Sequence, residues 1–458
     1  MTDNNADIEQ NNKAEHAIEN SLIKAAELDH LGSLIFIDRE NAKTKAMQAD
    51  DSLNEDKSAL PLYGVPIVVK DNIHVAGMPN SAGTLALKDF IPQQSDASVL
   101  ALEAAGAIVI AKANMHELAF GITSNNVAFG AVKNAHDHDM IAGGSSGGTA
   151  VAIAAGIVSM GLGTDTGGST RIPATLNGIV GFRPTLGRYK NDHVTPVATT
   201  RDTVGPMADS VSSVALLDGV ISGDTDPITP AELKSIRLGV VRDYFYRGLS
   251  SEVEANIESV LTTLEQAGVE LVEIEVPELE GLNNQVSFPV ALHEFMTQLP
   301  GYLQKYDTGI DMNELVSKLS SPDVIGTVAS QQSSEKIPEE VYQDAINLYR
   351  PQLIEVYSKA FSTHQLDALI APATPCAARP IVTSDETIEL NGNQVPTFPT
   401  YIQNVDPVSN AGLPSLALPS GKTEQGLPVG ILLDGPENSD RHLLSIGAAI
   451  EALLKTGN

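Results

Sequence analysis

Two serines lie beside glycine pairs within one short stretch of the chain. Ser145 stands in the sequence Gly-Gly-Ser-Ser-Gly-Gly that begins at residue 143, and Ser169 follows Gly167 and Gly168. Glycine allows a backbone with positive φ and a close approach of other groups. The stretch 143–171 therefore predicts a site made of exposed hydroxyl groups and backbone N–H donors. A serine hydroxyl is a weak nucleophile at neutral pH, so such a site needs a proton acceptor nearby.

A candidate acceptor stands earlier in the chain, at the end of an apolar run. Residues 65–69 read Val-Pro-Ile-Val-Val, which is typical of a buried strand, and Lys70 follows them. Pro66 fits the start of this strand better than its interior. A buried lysine can act as a base if its pKa falls well below the usual value of about 10.4. A lysine that reaches the surface from an edge strand is the alternative interpretation.

The elements around these residues alternate between strands and helices. Apolar residues recur at helical spacing over 14–31 and 97–105, and the short apolar runs 33–37 and 107–111 are typical of strands. This alternation favours an α/β fold, with a mixed twisted sheet covered by helices on both sides. Further strands are predicted at 159–164, 237–241, 269–274, 366–371, 416–419 and 429–433, and further helices at 149–155, 209–221, 251–267 and 440–454.

The chain is predicted to form one large domain. An N-terminal helical region, residues 1–60, is expected to pack on the core, with residues 1–13 polar and frayed. Residues 221–458 would complete the same domain, because the Pro-containing segment 227–230 is too short to prove a boundary. Residues 284–350 are mostly helical in pattern, with a polar interruption at 330–334, and are expected to shape a substrate pocket.

The composition limits the classes of function. The 458 residues include 28 basic and 58 acidic side chains, giving a formal net charge of −30. This excess disfavours nonspecific nucleic-acid binding, which relies on Lys and Arg, and binding to anionic membranes. The sequence has neither an apolar run long enough to span a membrane nor a secretory-signal pattern at its polar N-terminus. Cys376 is the single cysteine, so we expect no intramolecular disulfide and a cytoplasmic location.

Other groups of residues in the sequence could also form a catalytic or metal-binding site. Residues 143–147 match the G-x-S-x-G pattern of a nucleophile elbow, which would need partners such as Asp367 and His442, but no strand is predicted before it. The glycine-serine loop could also be a plain turn or an anion-binding nest. His136 and His138, with the neighbouring aspartates, could ligate a metal, although a solvated loop is the favoured interpretation. Cys376 has no histidine placed to activate it.

Six motifs together resemble the amidase signature family. They comprise residues 64–72, 112–118, 143–149, 165–173, 178–185 and 410–414, which include the sequences Asp-Thr-Gly-Gly-Ser-Thr-Arg-Ile-Pro and Asn-Ala-Gly-Leu-Pro. The resemblance is dense over 61–220, which would be the signature core, and thin between 240 and 360. Residues 185–189 and 200–203 are most similar to the indoleacetamide and mandelamide hydrolases of that family. One departure is the sequence His-Asp-His-Asp at 136–139, where family members often carry an Asn-Pro turn.

The resemblance implies a Ser–Ser–Lys triad. Ser169 would be the acylated nucleophile, Ser145 the proton relay, held by a cis peptide bond with Gly144, and Lys70 the base. The implied oxyanion hole consists of the backbone N–H groups of Thr166, Gly167, Gly168 and Ser169. Ala119 and Phe120 could line the substrate pocket, and Asp71 and Asn114 are implied as supporting residues. Asp165 and Arg171, two charges in a glycine-rich apolar setting, are predicted to pair and brace the loop.

The expected reaction is hydrolysis of a linear carboxamide to a carboxylic acid and ammonia or an amine. The resemblance implies no cofactor and no metal, a small-molecule amide as the partner, and a monomer or homodimer. Small aryl or arylalkyl amides such as indoleacetamide are the expected substrates. The alternatives are the glutaminase-type A subunit of a transfer-RNA amidotransferase, which needs partner subunits, and a peptide or fatty-acid amidase. A non-enzymatic scaffold is disfavoured, because all three triad positions are filled.

Overall fold

The computed structural model describes residues 13–51 and 60–456, which form a single α/β domain around a mixed sheet. Within this part of the chain the sheet has eleven strands, in the order β1-β3-β2-β4-β6-β5-β12-β13-β9-β7-β8. They are β1 Leu34–Ile37, β2 Pro66–Lys70, β3 Ile108–Ala113, β4 Met160–Asp165, β5 Val180–Arg183, β6 Thr203–Ala208, β7 Arg237–Val240, β8 Glu270–Glu273, β9 Ala368–Pro372, β12 Ser415–Lys422 and β13 Pro428–Asp434. The hairpin β10 Thr387–Leu390 and β11 Asn393–Pro396 lies apart from this sheet. The predicted fold class is confirmed.

The sheet is mixed because it contains two groups of parallel strands that are separated by antiparallel pairs. β2 pairs in parallel with β3 on one side and β4 on the other, and β7 pairs in parallel with β8 and β9. The strands between these two groups pair antiparallel. Since β2 and β4 are parallel neighbours, their carboxyl ends meet at one edge of the sheet. Lys70 ends β2 and Asp165 ends β4, so this edge gathers the residues of interest.

Helices cover both faces of the sheet. The side chains of Ile67 and Val69 enter one apolar core, whereas Val68 enters another, as expected for a strand buried on both faces. The helices are α1 Lys13–Glu27, α2 Arg39–Asp51, α3 Ala97–Ala104, α4 Gly147–Ala154, α5 Arg171–Asn177, α6 Val211–Ser222, α7 Arg242–Phe245, α8 Ser251–Gln266, α9 Leu279–Lys305, α10 Met312–Ser317, α11 Pro322–Gln331, α12 Glu339–Asp344, α13 Arg350–His364, α14 Thr397–Ile402, α15 Asp406–Ala411 and α16 Asp440–Thr456.

The helical region after β8 has the predicted interruption. α11 ends at Gln331 and α12 begins at Glu339, which brackets the polar segment 330–334. At the N-terminus, the predicted helix over 14–31 ends earlier, at Glu27, and a 3₁₀ turn at Asp29–Leu31 follows. The fraying expected for residues 1–13 concerns residues outside the described ranges, apart from Lys13, which begins α1. Residues 52–59 also lie outside the described ranges.

Several elements of the structure were not predicted. β5 and β6, in the centre of the sheet, were not predicted, nor was the hairpin β10–β11 or the short helix α5. β6 reads Thr-Val-Gly-Pro-Met-Ala, and its glycine and proline conceal the strand pattern. None of the helices within residues 13–51 and 60–456 is both long and apolar enough to cross a membrane.

Candidate active site

Lys70 lies fully buried at the carboxyl end of β2, between β3 and β4. Its Nζ is 2.8 Å from Ser145 Oγ and 2.8 Å from Thr164 Oγ1. The Thr164 hydroxyl also accepts a hydrogen bond from Asn72 Nδ2, at 3.1 Å. The amine therefore does not reach the surface; it points along the sheet edge toward the first glycine-serine turn.

The environment of Lys70 favours the neutral amine. Burial lowers the pKa of Lys70 to about 7, although the carboxylates of Asp165 and Asp202 act in the opposite direction. A lysine with this pKa is neutral in a large fraction of molecules at neutral pH, whereas an exposed lysine is almost entirely protonated. The amine can therefore accept a proton under ordinary conditions.

Ser145 is held at the start of α4 by an unusual backbone. The Gly144–Ser145 peptide bond is cis, and the Ser145 side chain is fully buried. Its carbonyl oxygen accepts a hydrogen bond from the His116 N–H, at 3.1 Å. The next residue, Ser146, donates its N–H to the carbonyl oxygen of Ser169, at 3.1 Å. This bond joins the two glycine-serine turns.

Ser169 lies in the turn between β4 and α5. Gly168 precedes it with φ of +114°, and a Cβ there would lie 2.2 Å from Val405 Cγ2, so this turn requires glycine. The hydroxyl groups of Ser145 and Ser169 form no hydrogen bond with each other in the described part of the chain.

The same turn presents backbone N–H groups. The N–H groups of Thr166, Gly167 and Ser169 have no hydrogen-bond partner among residues 13–51 and 60–456. The Gly168 N–H differs, because it donates to Asp165 Oδ1 at 2.9 Å. Gly168 thus fastens the turn, and three of the four N–H groups implied by the resemblance remain available to a ligand.

Asp165 is the centre of a buried ionic cluster beneath this turn. Its carboxylate is 2.9 Å from Arg171 Nη2 and 3.2 Å from Arg183 Nη1. Burial alone would raise the pKa of the Asp165 carboxyl, but the two guanidinium groups hold it well below its usual range. Arg171 also donates to Ser409 Oγ and Ser415 Oγ, at 2.6 and 3.2 Å. The cluster therefore ties the turn to the C-terminal part of the sheet.

Replacement of Arg171 by methionine should destabilise the fold. The change leaves the Asp165 carboxylate buried with one of its two cationic partners removed, which costs about 3–5 kcal/mol when a buried pair is broken. Chemical denaturation followed by circular dichroism measures the loss. Arg247 provides a matched control, because its pair with Glu280 is about half exposed and 3.0 Å long. Arg247→Met should change stability by about 1 kcal/mol or less, and an equal loss in both variants would contradict the bracing role of Arg171.

A cavity of about 240 Å³ opens over Ser169. Its wall contains Thr166, Gly167 and Ser169 on one side and Ala119 and Phe120, the two predicted pocket residues, on another. The rest is mainly apolar, and much of it comes from α9, α11 and α14. A wider outer cavity of about 950 Å³ shares Phe288, Leu292, Asp323, Thr327 and Asp385 with it and leads to the surface. A small apolar ligand could thus reach the Ser169 hydroxyl.

The sequence as a whole matches the family model "Amidase" over residues 16–444. The chain belongs to the amidase family. The resemblance read from the six motifs is thereby confirmed, and the chain is a hydrolase that acts on amides.

Relatives of this amidase cover nearly its whole length. It is 41% identical to an indoleacetamide hydrolase of Rhizobium radiobacter, over 95% of this chain and 92% of the relative. It is 43% identical to a mandelamide hydrolase of Pseudomonas putida, over 96% of this chain and 88% of the relative. Among solved structures, an amidase crystal structure superposes with a TM-score of 0.85 at 33% identity, covering 96% of both chains.

Asp71 and Asn114, which the resemblance implied as supporting residues, do not contact the Lys70 amine in this amidase. Asp71 points away, toward Ser81 and Lys112, and its Oδ1 is 3.4 Å from Lys112 Nζ. Asn114 donates to the carbonyl oxygens of Gly32 and Gly130, at 2.9 and 3.0 Å. Both therefore tie segments of backbone together near the site.

Several residues at the site were missed by the sequence analysis. Thr164 and Asn72 contact Lys70 or its partner, and Asp202 accepts a hydrogen bond from Thr166 Oγ1 at 2.6 Å. Thr164 could have been found, because it directly precedes Asp165 at the end of a predicted strand. Phe288 and Phe398 also line the cavity. The sequence around each of them does not distinguish a cavity residue from an ordinary core phenylalanine.

The rival constellations do not meet at this cavity. His442 and Asp367 do form a pair, with Nε2 and Oδ1 3.0 Å apart, but neither lines the cavity and the His442 side chain is 53% exposed. His136 Nε2 contacts the Asn177 carbonyl oxygen at 3.0 Å. The described ranges contain no group of three or more His, Cys, Asp or Glu side chains arranged to hold a metal. Cys376 is buried in an apolar cluster, where burial raises the pKa of its thiol.

Proposed function

We propose that this amidase hydrolyses small aryl or arylalkyl carboxamides through an acyl-enzyme formed on Ser169. In this reaction Lys70 takes the proton of Ser145, Ser145 takes the proton of Ser169, and Ser169 Oγ attacks the amide carbonyl carbon. The proton returns through Ser145 to the leaving nitrogen as the C–N bond breaks. Water then attacks the ester carbonyl, releases the carboxylic acid and restores the Ser169 hydroxyl.

One observation carries this proposal: a fully buried Lys70 whose Nζ is 2.8 Å from Ser145 Oγ, beside the cavity that contains Ser169. A serine nucleophile needs a base, and the lowered pKa of Lys70 supplies one without histidine. Thr164 supports the same assignment, because its hydroxyl holds the amine at the strand end. The short helix α4 begins two residues after Ser145, with Ser146 as its N-cap, and limits the movement of Ser145 from the other side.

The tetrahedral intermediate would be bound by the free N–H groups of Thr166, Gly167 and Ser169. Preorganised donors at an oxyanion contribute about 3–4 kcal/mol each when measured by their removal. Asp202 supports this role for Thr166, since it holds the Thr166 hydroxyl at 2.6 Å and also accepts the N–H groups of Val197 and Ala198. The turn would thus be in position before substrate binds.

The aryl group would lie among aromatic side chains. Phe120, Phe288 and Phe398 all line the cavity, and the rings of Phe288 and Phe398 are 5.8 Å apart and tilted by 46°. Aromatic rings attract one another in offset-stacked or edge-to-face arrangements, so these side chains offer contacts to an aryl group of the substrate. The relatives named for indoleacetamide and mandelamide act on amides with an aromatic ring, which agrees with such a cavity. Asp323 and Asp385 at its wall disfavour substrates that carry a carboxylate.

A screen of ammonia release tests the proposal. The panel should contain matched aliphatic, aryl, arylalkyl and peptide amides at equal concentration, with hydroxylamine added to intercept the acyl-enzyme as a hydroxamate. We expect the highest kcat/KM for phenylacetamide or indole-3-acetamide and the lowest for acetamide. Preference for peptide amides, or absence of hydroxamate with every amide hydrolysed, would contradict it.

The amidotransferase alternative receives no specific support. The A subunit of a glutamyl-tRNA(Gln) amidotransferase from Thermotoga maritima superposes with a TM-score of 0.75 but is 24% identical, a likeness that concerns the fold. That function also needs partner subunits, so their co-purification would be the observation in its favour.

Replacement of Phe398 by alanine should impair aryl amides selectively. Loss of one wall of the aromatic pocket removes contact area for a ring, which corresponds to a roughly tenfold fall in kcat/KM, mostly through KM. Acetamide, which is too small to reach that wall, should be affected by about twofold or less. Steady-state kinetics with an aryl amide and acetamide measure the difference. An equal fall in kcat/KM for both amides would show that the aryl group of the substrate does not contact Phe398.

A further inference from the structure

A buried ion pair, Arg201 with Asp406, lies behind the turn that carries Ser169. The two side chains are 5% and 3% exposed, and Arg201 Nη1 lies 3.4 Å from Asp406 Oδ1. A Cβ on Gly167 would lie 3.1 Å from the same Asp406 oxygen, so this carboxylate borders the turn directly. The carboxylate therefore lies beside the N–H groups that would bind the oxyanion, and its cationic partner is Arg201.

Three buried carboxylates surround this turn, and each of them would repel an oxyanion. Asp165 lies beneath the turn, Asp202 accepts the Thr166 hydroxyl, and Asp406 borders the turn at its next residue. Asp165 has two guanidinium partners of its own. Arg201 serves the other two: it pairs with Asp406, and its charge opposes the rise that burial causes in the pKa of the Asp202 carboxyl. Loss of Arg201 would thus leave two carboxylates beside the turn without their arginine.

The hydrogen bonds around this pair do not require a positive charge. Asp406 Oδ2 accepts from Asn283 and Asn410, at 3.1 and 3.0 Å, and Arg201 Nη1 donates to Asn410 Oδ1. Arg201 Nε and Nη2 have no hydrogen-bond partner in the described part of the chain. A neutral amide could make the contact of Nη1 at a lower desolvation cost. The guanidinium adds its charge, at a buried position where charges interact strongly.

We propose that Arg201 supports the reaction through its charge: it neutralises the carboxylates of Asp406 and Asp202, so that negative charge can develop on the amide carbonyl oxygen beside Gly167. Arg201 is thus a positioning residue that acts through Asp406 and needs no contact with the substrate. Its charge favours the transition state, whose oxygen is anionic, more than the bound amide, which is neutral. This inference rests on the proposed function, because it assumes an oxyanion at the Ser169 turn.

Three variants separate the charge of Arg201 from its hydrogen bond. Arg201→Lys keeps the charge, Arg201→Gln keeps a donor without the charge, and Arg201→Gln/Asp406→Asn removes both charges of the pair. For phenylacetamide, we expect kcat to fall about hundredfold in Arg201→Gln, with KM changed by about threefold or less, and to fall by about tenfold or less in Arg201→Lys. The double variant should regain about tenfold or more over Arg201→Gln, because the repelling carboxylate has been removed as well.

Circular dichroism establishes that each variant is folded before its kcat is compared. The control Arg247→Gln removes a charge from a half-exposed pair and should keep kcat within about twofold. Equal falls in Arg201→Lys and Arg201→Gln, or a double variant no faster than Arg201→Gln, would overturn the inference, since either result is expected if the pair only braces the turn.

Benzyl trifluoromethyl ketone measures the same effect without turnover. Ser169 Oγ forms a bond to the ketone carbon, the hydroxyl proton passes through Ser145 to Lys70, and the carbonyl oxygen becomes anionic. The readout is Ki for this ketone relative to KM for phenylacetamide. The ratio should rise about hundredfold in Arg201→Gln and fall about threefold or more in Asp406→Asn, which leaves the guanidinium without its carboxylate.

The Asp406→Asn variant keeps the test available if no variant at position 201 folds. Weaker binding of the ketone to folded Asp406→Asn, at unchanged KM for phenylacetamide, would overturn the inference. If the unmodified enzyme neither hydrolyses phenylacetamide nor binds the ketone, the proposed function itself fails. Turnover and ketone binding that do not respond to the charge at position 201 would refute the role of Arg201 alone.

Discussion

Replacement of Ser169 by alanine should lower kcat for every amide substrate by roughly 10⁴-fold or more. The proposed reaction passes through an ester on Ser169 Oγ. Thr166, Ser287 and Thr327 also bring hydroxyl groups to the cavity wall, but the Thr166 hydroxyl is bound to Asp202, and Ser287 and Thr327 lie on α9 and α11 and not in the turn that carries the free N–H groups. Ammonia release from the best amide of the screen measures the loss. Substrate should still bind, because the cavity is unchanged, so KM should vary little.

Ser317→Ala is the matched control, since Ser317 is exposed on α10 and its hydroxyl donates to the Glu314 carbonyl oxygen. This variant should keep full activity. Mass spectrometry after reaction with a fluorophosphonate adds a direct readout, in which the label should appear on the peptide that contains Ser169 and disappear in Ser169→Ala. Label on another residue, or turnover in Ser169→Ala above about 1% of the original rate, would exclude Ser169 as the nucleophile.

Replacement of Lys70 by methionine should be nearly as severe, with a fall in kcat of about 10³-fold or more. The pH dependence of the unmodified enzyme provides a second test of Lys70 as the base. Burial lowers the pKa of Lys70 to about 7, and the base acts only as the neutral amine. The neutral fraction grows as pH rises, so kcat/KM should increase through about pH 7 and reach a plateau above it. The remaining activity of Lys70→Met should lack this inflection.

Lys112 offers an internal comparison, because it is as buried as Lys70 and sits on the neighbouring strand β3. Its Nζ donates to the carbonyl oxygens of Ile73 and Pro79 and pairs with Asp71, all away from the serines. Lys112→Met should therefore reduce stability while the active fraction keeps the inflection near pH 7. An inflection that persists in Lys70→Met, or that moves in Lys112→Met, would show that another group controls the rate.

The parts of the site that depend on local sequence were predictable. β2 begins at Pro66 and ends at Lys70, as the β-branched run indicates, and the two glycine-serine turns stand where their glycines predicted. The contact between Asp165 and Arg171, 2.9 Å, also follows from two charges six residues apart in an apolar stretch. In each case the signal and the structure occupy the same short segment.

The walls of the cavity were not predictable in this way. Phe120 was expected at the pocket from the family resemblance, but Phe288 and Phe398 come from two other parts of the chain, and nothing in their flanking residues indicates that they face the same cavity. The region 284–350 was expected to shape the pocket, and Phe288 and Asp323 do line it, but α14 also contributes and was not expected. Arg201 also lines the cavity, and its contacts with Asp406 and Asn410 join segments about two hundred residues apart, which no local pattern indicates.

The ionic cluster under the Ser169 turn implies that the site is completed late in the synthesis of the chain. Arg171 is held by Ser409 and Ser415, and β5 pairs with β12, so the turn rests on residues made more than two hundred positions later. The ribosome synthesises Lys70, Ser145 and Ser169 well before those partners. A nascent or C-terminally truncated chain thus carries every proposed reacting group without the support that aims them. We therefore expect activity to require β12, which pairs with β5 and contains Ser415.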